Sequence, residues 1–493
     1  MLYFGDNVVM ILFKNTIIYG LGSVLSKSIG IILLPILTRY LTPFDYGVIG
    51  ILMIVSVFFN SLISLGFGTS IGIVYFENKD YDKRLEVIYS SFWVLLFVSL
   101  IFSFFSLFFI KDISYITLGQ EKYWIETVLV IVASVISTVS MPLLLNIQFL
   151  ERPTHFVAGN VSISIMSFVL NLLLVVLFKR GLKGYFEAFL LTQLLTFLVF
   201  AFLNKFNFRF VFKKETVKNL LKNGMPMMPS FFSLFILSQG NRYILRCFTN
   251  LDNVGIYTVG YNIGYITQII INAFQSAWTP YFLSFYDRQD EAYEHFGKIV
   301  KYFILIMGFI CIVFFIFSKL FVMMFISKQY IESYKIIGFI ALSNLFFGLF
   351  NLLLPPMYFE KEVKYLSFIQ GITAVLSIVI NLIFIINFKE AGASIAFCLG
   401  YFIMSFLTWL FNKYKSKSKL KNYKVDKNIR KIVLVFFLFI PVSYFPRKFD
   451  LIGEIFFSIF LFCILAFITY VILDADEKKK LRNISLNIGF VRS

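Results

Sequence analysis

The sequence is poor in charged residues, in histidine and in cysteine. Only 15% of its 493 residues are Asp, Glu, Lys or Arg, against about 25% in an ordinary soluble domain. There are two histidines, and the four cysteines stand singly in apolar runs. Neither residue type has the spacing of a metal site, a redox motif or a disulfide framework. We therefore predict no metal, and a secreted disulfide scaffold is excluded.

Signatures of enzymatic chemistry are also missing. The sequence has no G-x-x-x-x-G-K-[ST] loop, so this chain does not hydrolyse ATP through such a site. It has no long outward loop and no pair of carboxylates within an apolar run, which a membrane glycosyltransferase or polymerase would need. We predict that the chain is not an enzyme and holds no cofactor. Its energy would then come from a proton or sodium gradient, or from the gradient of the substrate.

Hydrophobic residues dominate the composition. They make up 59% of the chain, aromatic residues make up 19%, and the mean hydropathy is +0.83. A spanning helix needs about 20 mostly apolar residues, so we predict an all-α polytopic membrane protein with about fourteen transmembrane helices. The predicted spans are residues 13–37, 46–75, 86–110, 123–149, 155–178, 184–204, 223–247, 253–285, 299–318, 333–357, 364–387, 391–411, 430–446 and 451–473.

Positive charge is concentrated in alternate loops. The net charge is +18, and the loops that share a side with the two termini carry 29 Lys and Arg, against 13 on the other side. Short basic loops stay in the cytoplasm, so we predict that both termini are cytoplasmic. The excess charge is then explained by basic residues that lie against anionic lipid, without a nucleic-acid partner.

The chain contains an internal repeat. The stretch R-Y-L-T-P-F-D-Y-G from Arg39 recurs as R-C-F-T-N-L-D-N-V-G from Arg246, and the run that ends at Lys179 recurs as the run that ends at Lys389. With two further pairs, the four segments recur in the same order at offsets of 207–210 residues. A nearly constant offset indicates a duplicated structural unit.

The duplicated unit contains six spans. Because six is even, both copies enter the membrane in the same direction, and their pseudo-twofold axis runs along the membrane normal. We predict an N-terminal six-helix lobe over residues 1–212, a C-terminal six-helix lobe over 213–424, and two extra helices with a basic tail over 425–493. Duplicated bundles of this kind bind substrate between the lobes and alternate its access to the two sides.

A capping motif marks the start of the second span. Thr42 stands at an N-cap position, Pro43 follows at the first helical position, and Asp45 supplies the carboxylate of a capping box. The repeat predicts that residues 249–252 cap the eighth span in the same way.

The stretch T-P-F-D-Y-G, together with the pattern of twelve spans plus two, resembles the polysaccharide-exporter branch of the multidrug/oligosaccharidyl-lipid/polysaccharide flippase superfamily. The resemblance implies translocation of an undecaprenyl-diphosphate-linked oligosaccharide across the bacterial cytoplasmic (inner) membrane, for O-antigen of lipopolysaccharide, capsule or a related polymer. It also implies membrane lipid and other polysaccharide-assembly membrane proteins as partners. Two other functions stay open: an ion-coupled multidrug exporter of the same superfamily and, less favoured, a membrane glycosyltransferase or polymerase.

Basic residues within or at the ends of spans are candidates for a cationic cavity. A charge at the bilayer centre costs about 2.5–3.5 kcal/mol, so it usually faces a partner or a wet cavity. Lys27 and Arg242 lie within spans, Arg39 and Arg246 lie at outer ends, and Gln239 shares a helix face with the last of these. We predict that they bind a diphosphate. The alternative is snorkelling to the headgroups, while an exporter of cationic drugs would need an acidic cavity instead.

A polar stripe on the eighth span is the second candidate. Its members recur every three or four residues and so occupy one helix face; in the second span, Asn60 aligns with this stripe through the repeat. Phenols and amides suit sugar hydroxyls, and the alternative is hydrogen bonding between helices. The stripe consists of Tyr257, Tyr261, Tyr265, Gln268 and Asn272.

Overall fold

The computed structural model describes residues 22, 24–150, 152–206, 209–286, 288–362, 364–415, 440–441 and 450–472. Within these residues the chain forms helices and no strand. The helices are α1 (Val24–Leu37), α2 (Pro43–Ile63), α3 (Phe67–Glu77), α4 (Tyr81–Phe108), α5 (Ile110–Leu118), α6 (Trp124–Phe149), α7 (Pro153–Asn171), α8 (Gly181–Leu203), α9 (Lys214–Gly224), α10 (Met228–Phe248), α11 (Leu251–Gly264), α12 (Ile266–Leu283), α13 (Gln289–Phe325), α14 (Tyr334–Leu352), α15 (Pro355–Phe359), α16 (Lys364–Lys415) and α17 (Leu451–Ile472).

The predicted class is confirmed: the chain is an all-α polytopic membrane protein. In the described residues nine helices are long and apolar enough to span a membrane, or ten if α11 and α12, bent by 42° relative to each other, form one span. Predicted span 223–247 corresponds to α10, which is not among them because its polar residues, Arg242 among them, lower its hydropathy. Span 13–37 is described from residue 22 onward, and all but 440–441 of span 430–446 lies outside the described residues.

Two of the predicted spans are joined in the long helix α16. Its 52 residues would extend about 78 Å if straight, far more than the hydrocarbon thickness of about 30 Å. The helix is broken at Lys389, where φ is 48° and ψ is −127°. A Cβ added at Gly392 would lie 2.0 Å from the carbonyl oxygen of Phe384, so the chain folds back at this point. Spans 364–387 and 391–411 are therefore two arms of a hairpin.

The capping prediction is right for α2 and wrong in detail for α11. The Asp45 carboxylate accepts a hydrogen bond from the Thr42 backbone N–H at 2.9 Å, and the Thr42 hydroxyl accepts one from the Asp45 N–H at 3.2 Å. At α11 the N-cap is Asn250, whose side chain accepts from the Asn253 N–H at 3.0 Å. Thr249 instead ends α10, because its hydroxyl donates back to the Leu245 carbonyl.

Hydrogen bonds and backbone turns recur in the structure at the offset of the sequence repeat. The Asn204 side chain donates to the Leu143 carbonyl at 2.9 Å, and the Asn412 side chain donates to the Leu353 carbonyl at 2.7 Å. Lys179 likewise has φ of 51° and its counterpart in the second copy has φ of 48°. The same hydrogen bond and the same backbone turn therefore occur in the N-terminal half (α1–α8) and in the C-terminal half (α10–α16). The exact domain boundaries stay a prediction.

The two halves meet where α2 crosses α11 at backbone contact. A Cβ added at Gly47 would lie 2.0 Å from the Leu251 carbonyl oxygen, and one added at Gly255 would lie 1.8 Å from the Pro43 carbonyl oxygen. Each contact is the image of the other under the repeat, because both residues of a pair are 208 positions from those of the other pair. Glycine is required here because any side chain would push the helices apart.

A third contact fixes the direction of the two helices. A Cβ added at Gly50 would lie 2.4 Å from the hydroxyl of Thr258, which is the counterpart of Gly50 in the second copy. Contacts between a residue and its own counterpart, or a residue one turn away, occur when the paired helices run in parallel. This is the arrangement that a twofold axis along the membrane normal produces.

The last described helix is attached to the C-terminal half by a buried ion pair. The Lys319 ammonium of α13 lies 3.2 Å from the Glu454 carboxylate of α17, and both side chains are buried. Ile316 packs nearby against Leu461 and Leu465 of α17. The pairing lets both charges lie inside apolar helices, where a single charge is costly.

The crossing of α2 and α11 gives a stability prediction. Gly255→Ala should destabilise the protein by about 1–3 kcal/mol, because the added methyl group meets backbone that cannot rotate away. The matched control is Gly371→Ala in α16, where the nearest atom to an added Cβ is 3.9 Å away. Thermal unfolding in detergent measures both. Equal melting temperatures for the two variants would contradict the close approach.

Candidate functional site

A cavity of about 360 Å³ lies between the two halves. One wall is a single face of α1, on which Lys27, Ile31 and Leu34 recur at helical spacing. The opposite wall lies at the bend between α11 and α12, where Asn262 and Tyr265 line the cavity. The remaining lining is glycine, proline and apolar side chains. The cavity is thus mostly apolar with a few polar groups, as is typical of ligand sites.

Lys27 supplies the charge of the cavity lining. Its side chain is half-buried on α1, in the middle of the predicted span 13–37. Within the described part of the chain no hydrogen bond or ion pair satisfies its ammonium group, and no carboxylate lines the cavity. A half-buried ammonium within a membrane span and without such partners favours a negatively charged ligand.

Arg242 lies deeper, behind the wall of the cavity. It is buried in α10 with 7% of its surface exposed. Its Nη1 donates to Gln239 Oε1 at 3.1 Å, and its guanidinium carbon lies 4.0 Å from the ring centroid of Tyr261. Its Nε has no hydrogen-bond partner among the described residues. A desolvated cation–π contact of this kind contributes about 2 kcal/mol, so the aromatic ring takes the place of a carboxylate.

A ladder of three tyrosines connects this arginine with the cavity. Tyr261 stacks on Tyr265 with 5.2 Å between ring centroids, and Tyr257 follows on the other side at 6.1 Å. Tyr257 is fully buried, and its hydroxyl accepts a hydrogen bond from Asn241. Tyr265 is 38% exposed and lines the cavity opposite α1. Arg242 therefore lies on one tyrosine of a stacked pair, and the other tyrosine of the pair lines the same cavity as Lys27.

The two predicted arginines at the outer helix ends lie elsewhere. Arg246 donates Nη2 to the Leu118 carbonyl at 2.7 Å and so caps the C-terminus of α5. Gly119 allows this approach, because a Cβ added at Gly119 would lie 2.1 Å from Nη2 of Arg246. Arg39 is exposed at the end of α1. Neither residue is part of the cavity lining.

The predicted amides are engaged within their own halves. Asn60 accepts a hydrogen bond from the Thr138 hydroxyl at 2.8 Å, which joins α2 to α6. Gln268 donates to Asn272 at 2.9 Å on α12. These bonds are the helix-to-helix and intrahelical bonding that polar membrane residues commonly form. None of the three amides is part of the cavity lining.

Two residues of the site escaped the sequence analysis. Asn262 lines the cavity, and Asn241 orients Tyr257. Asn262 precedes Tyr265 by three residues, so extending the polar stripe by that spacing would have found it. Asn241 could not be found this way, because its partner lies on another helix. In the described residues no group of three His, Cys, Asp or Glu side chains could hold a metal ion.

Comparison with known proteins identifies the fold and the family. A multidrug resistance MATE family transporter of the MOP superfamily, solved in an inward-facing conformation, is similar over 81% of this chain and 96% of its own, with a TM-score of 0.66 and 15% identity. The lipid II flippase MurJ, in an inward closed conformation, is similar over 94% and 98%, with a TM-score of 0.64 and 14% identity. No curated protein sequence matches the chain.

The family model described as polysaccharide biosynthesis protein matches residues 12–286. The match contains the T-P-F-D-Y-G stretch, the α2–α11 crossing and the tyrosine ladder. Together with the fold, it confirms the resemblance to the polysaccharide-exporter branch that the sequence indicated. Because more than half of its residues are matched, the chain belongs to the polysaccharide biosynthesis protein family.

Proposed function

We propose that the protein is a flippase that translocates an undecaprenyl-diphosphate-linked oligosaccharide repeat unit across the bacterial cytoplasmic membrane by alternating access. The polymer would be O-antigen of lipopolysaccharide, capsule or a related polysaccharide. The cavity between the halves carries the proposal, because the ionised side chain in its lining and the one behind it are both basic. No chemical step is required of the chain, in keeping with a transporter rather than an enzyme.

The charge of the cavity suits a diphosphate. The Lys27 ammonium lies on the α1 wall, and Arg242 adds its charge from behind Tyr261. In the apolar interior such charges act over longer distances than in water. A diphosphate that entered the cavity would receive charge-assisted hydrogen bonds of about 1.5–3 kcal/mol each. The same positive field repels a cationic drug, which disfavours a multidrug exporter with the same fold.

The polar part of the lining suits a glycan. Tyr265 and Asn262 present a phenol and an amide beside the positive charge, and both groups can donate and accept hydrogen bonds with hydroxyls. Apolar side chains such as Ile269 complete the wall and suit the polyprenyl chain. The family match, described by polysaccharide biosynthesis, and the fold shared with a lipid II flippase agree with such a substrate.

Hydrogen bonds between the halves close the end that the charge distribution predicts to face outward. Gln329 donates to the carbonyls of Thr38 and Leu41 at 3.2 and 3.1 Å, and the Tyr330 hydroxyl donates to the latter carbonyl at 2.8 Å. Arg246 adds its bond to α5 on the same side. Alternating access requires such bonds to break when the outer side opens. Coupling of this step to a proton or sodium gradient is part of the proposal.

Removing either positive charge should abolish or strongly reduce transport. Lys27→Ala deletes the charge in the cavity lining, and Arg242→Ala deletes the charge that acts on the cavity from behind Tyr261. Arg242→Lys should restore activity only in part, because an ammonium keeps the charge but lacks the planar fork that bonds Gln239 and stacks on Tyr261. Complementation of a transporter-null strain, scored by surface polysaccharide and normalised to membrane protein, measures the effect. Lys111→Ala, which changes an exposed lysine of α5, is the control and should complement normally.

Snorkelling gives the opposite result in this experiment. If both side chains serve only to reach headgroups, the two alanine variants complement like the control. Full activity in both would remove the support for a cationic cavity, while normal protein levels exclude misfolding as the cause of a loss.

The predicted orientation can be tested with cysteines in described, exposed positions. In a cysteine-free background, Lys214→Cys in α9 should react with an impermeant thiol reagent only after spheroplasts are permeabilised. Tyr115→Cys in α5 should react in intact spheroplasts. Both side chains are exposed, so burial does not limit either reaction. The reverse labelling pattern would invert the topology.

Weakening the outer closure should expose the cavity to the outside. The double variant Arg246→Ala, Gln329→Ala removes the bonds to α5 and to the end of α1, each worth about 1–3 kcal/mol. A cysteine at Ile266 in the cavity lining should then react with an external reagent on the order of tenfold faster. An unchanged rate would show that these bonds do not hold the outer side closed.

A further inference from the structure

The helix that links the two halves carries a basic stripe outside the cavity lining. In α9 the side chains of Lys214, Lys218 and Lys222 are exposed and four residues apart, so they stand on one face. Leu220, on the opposite face, is fully buried in a hydrophobic cluster of the N-terminal half, where Val217 packs with it. The helix therefore binds the protein with one face and presents the lysines on the other.

The position of α9 is fixed by polar contacts at its start. Glu86 of α4 forms an ion pair with Lys213 and accepts a hydrogen bond from the Thr216 hydroxyl at 2.8 Å. Just upstream, Trp93 of α4 donates its indole N–H to the Arg209 carbonyl at 3.1 Å. These bonds hold the helix beside the end of α4 that the loop charges predict to be cytoplasmic.

Large apolar side chains flank the stripe and are exposed. Phe210 and Phe212, before the helix, are 61% and 50% exposed, and Met225, after it, is 53% exposed. Exposed aromatic and apolar residues beside a lysine-rich helix are typical of an element that lies in the bilayer interface. A surface that faced the cytosol alone would leave this apolar area in water.

The three lysines have no acidic partner in the described part of the chain. We propose that the stripe binds anionic phospholipids of the inner leaflet, with phosphates on Lys214, Lys218 and Lys222. The flanking Phe210 and Met225 would lie among the upper acyl chains. Each lysine near an anionic surface strengthens binding by about fivefold, so the stripe should give on the order of a hundredfold preference over zwitterionic lipid. This site is independent of the cavity and of its substrate.

Native mass spectrometry of the purified full-length protein tests the proposal. Phosphatidylglycerol or phosphatidylcholine with the same acyl chains is added in detergent, and retained lipid is counted. The wild-type protein should retain phosphatidylglycerol preferentially, and the triple variant K214Q/K218Q/K222Q should lose most of that preference. The matched control, K111Q/K183Q/K328Q, removes three exposed lysines from other helices and loops and should keep it.

The outcomes separate a defined site from general charge attraction. If the α9 variant loses the preference for phosphatidylglycerol and the control variant keeps it, the result supports the site. If both variants lose this preference equally, or if both keep it, the proposal is overturned. A melting temperature like that of the wild type in the absence of added lipid shows that the α9 variant is folded.

Discussion

The architecture depends on the close approach of α2 and α11. Two glycines, Gly47 and Gly255, let each helix touch the backbone of the other near its start. This contact joins the two copies of the repeat at equivalent residues. The tyrosine ladder begins with Tyr257, two residues after the second glycine, and continues along α11 away from the crossing. The crossing therefore decides where the ladder and the cavity lie between the halves.

The second determinant is the way the membrane interior treats charge. Arg242 is buried on an aromatic ring, Lys27 borders a cavity, and Lys319 is paired with a glutamate. Each of these three environments lowers the free-energy cost of placing a charge in the hydrocarbon region, and each does so in a different way. The ion pair is neutral as a whole, whereas the other two cations keep their net charge. In the proposed function this difference distinguishes Lys319, which joins two helices, from the two cations that attract the substrate.

Much of the fold was predictable because hydropathy and repetition are long-range patterns. The apolar spans and the capping box at Thr42 follow from the sequence. The span ends do so less well, since α13 runs over Gln289–Phe325 where the sequence predicted 299–318. Helical spacing placed Gln239 and Arg242 on one face of a helix and the three tyrosines on one face of another, and the structure brings these two faces together. The sequence could not decide that Arg246 caps α5, because this contact joins residues 128 positions apart. It also could not tell whether Asn60 and Gln268 line the cavity or bond within the protein, because that depends on which neighbouring side chain each amide contacts.

The ion pair between α13 and α17 has a consequence for how the protein is made. The Lys319 ammonium is synthesised 135 residues before the carboxylate of Glu454 to which it is joined. During synthesis α13 leaves the translocon while this partner has not yet been translated. Docking of α17 onto α13 therefore follows the synthesis of the second copy of the repeat, which ends with α16. A chain that ended before α17 would therefore leave the Lys319 ammonium in the apolar surface of α13 without the Glu454 carboxylate.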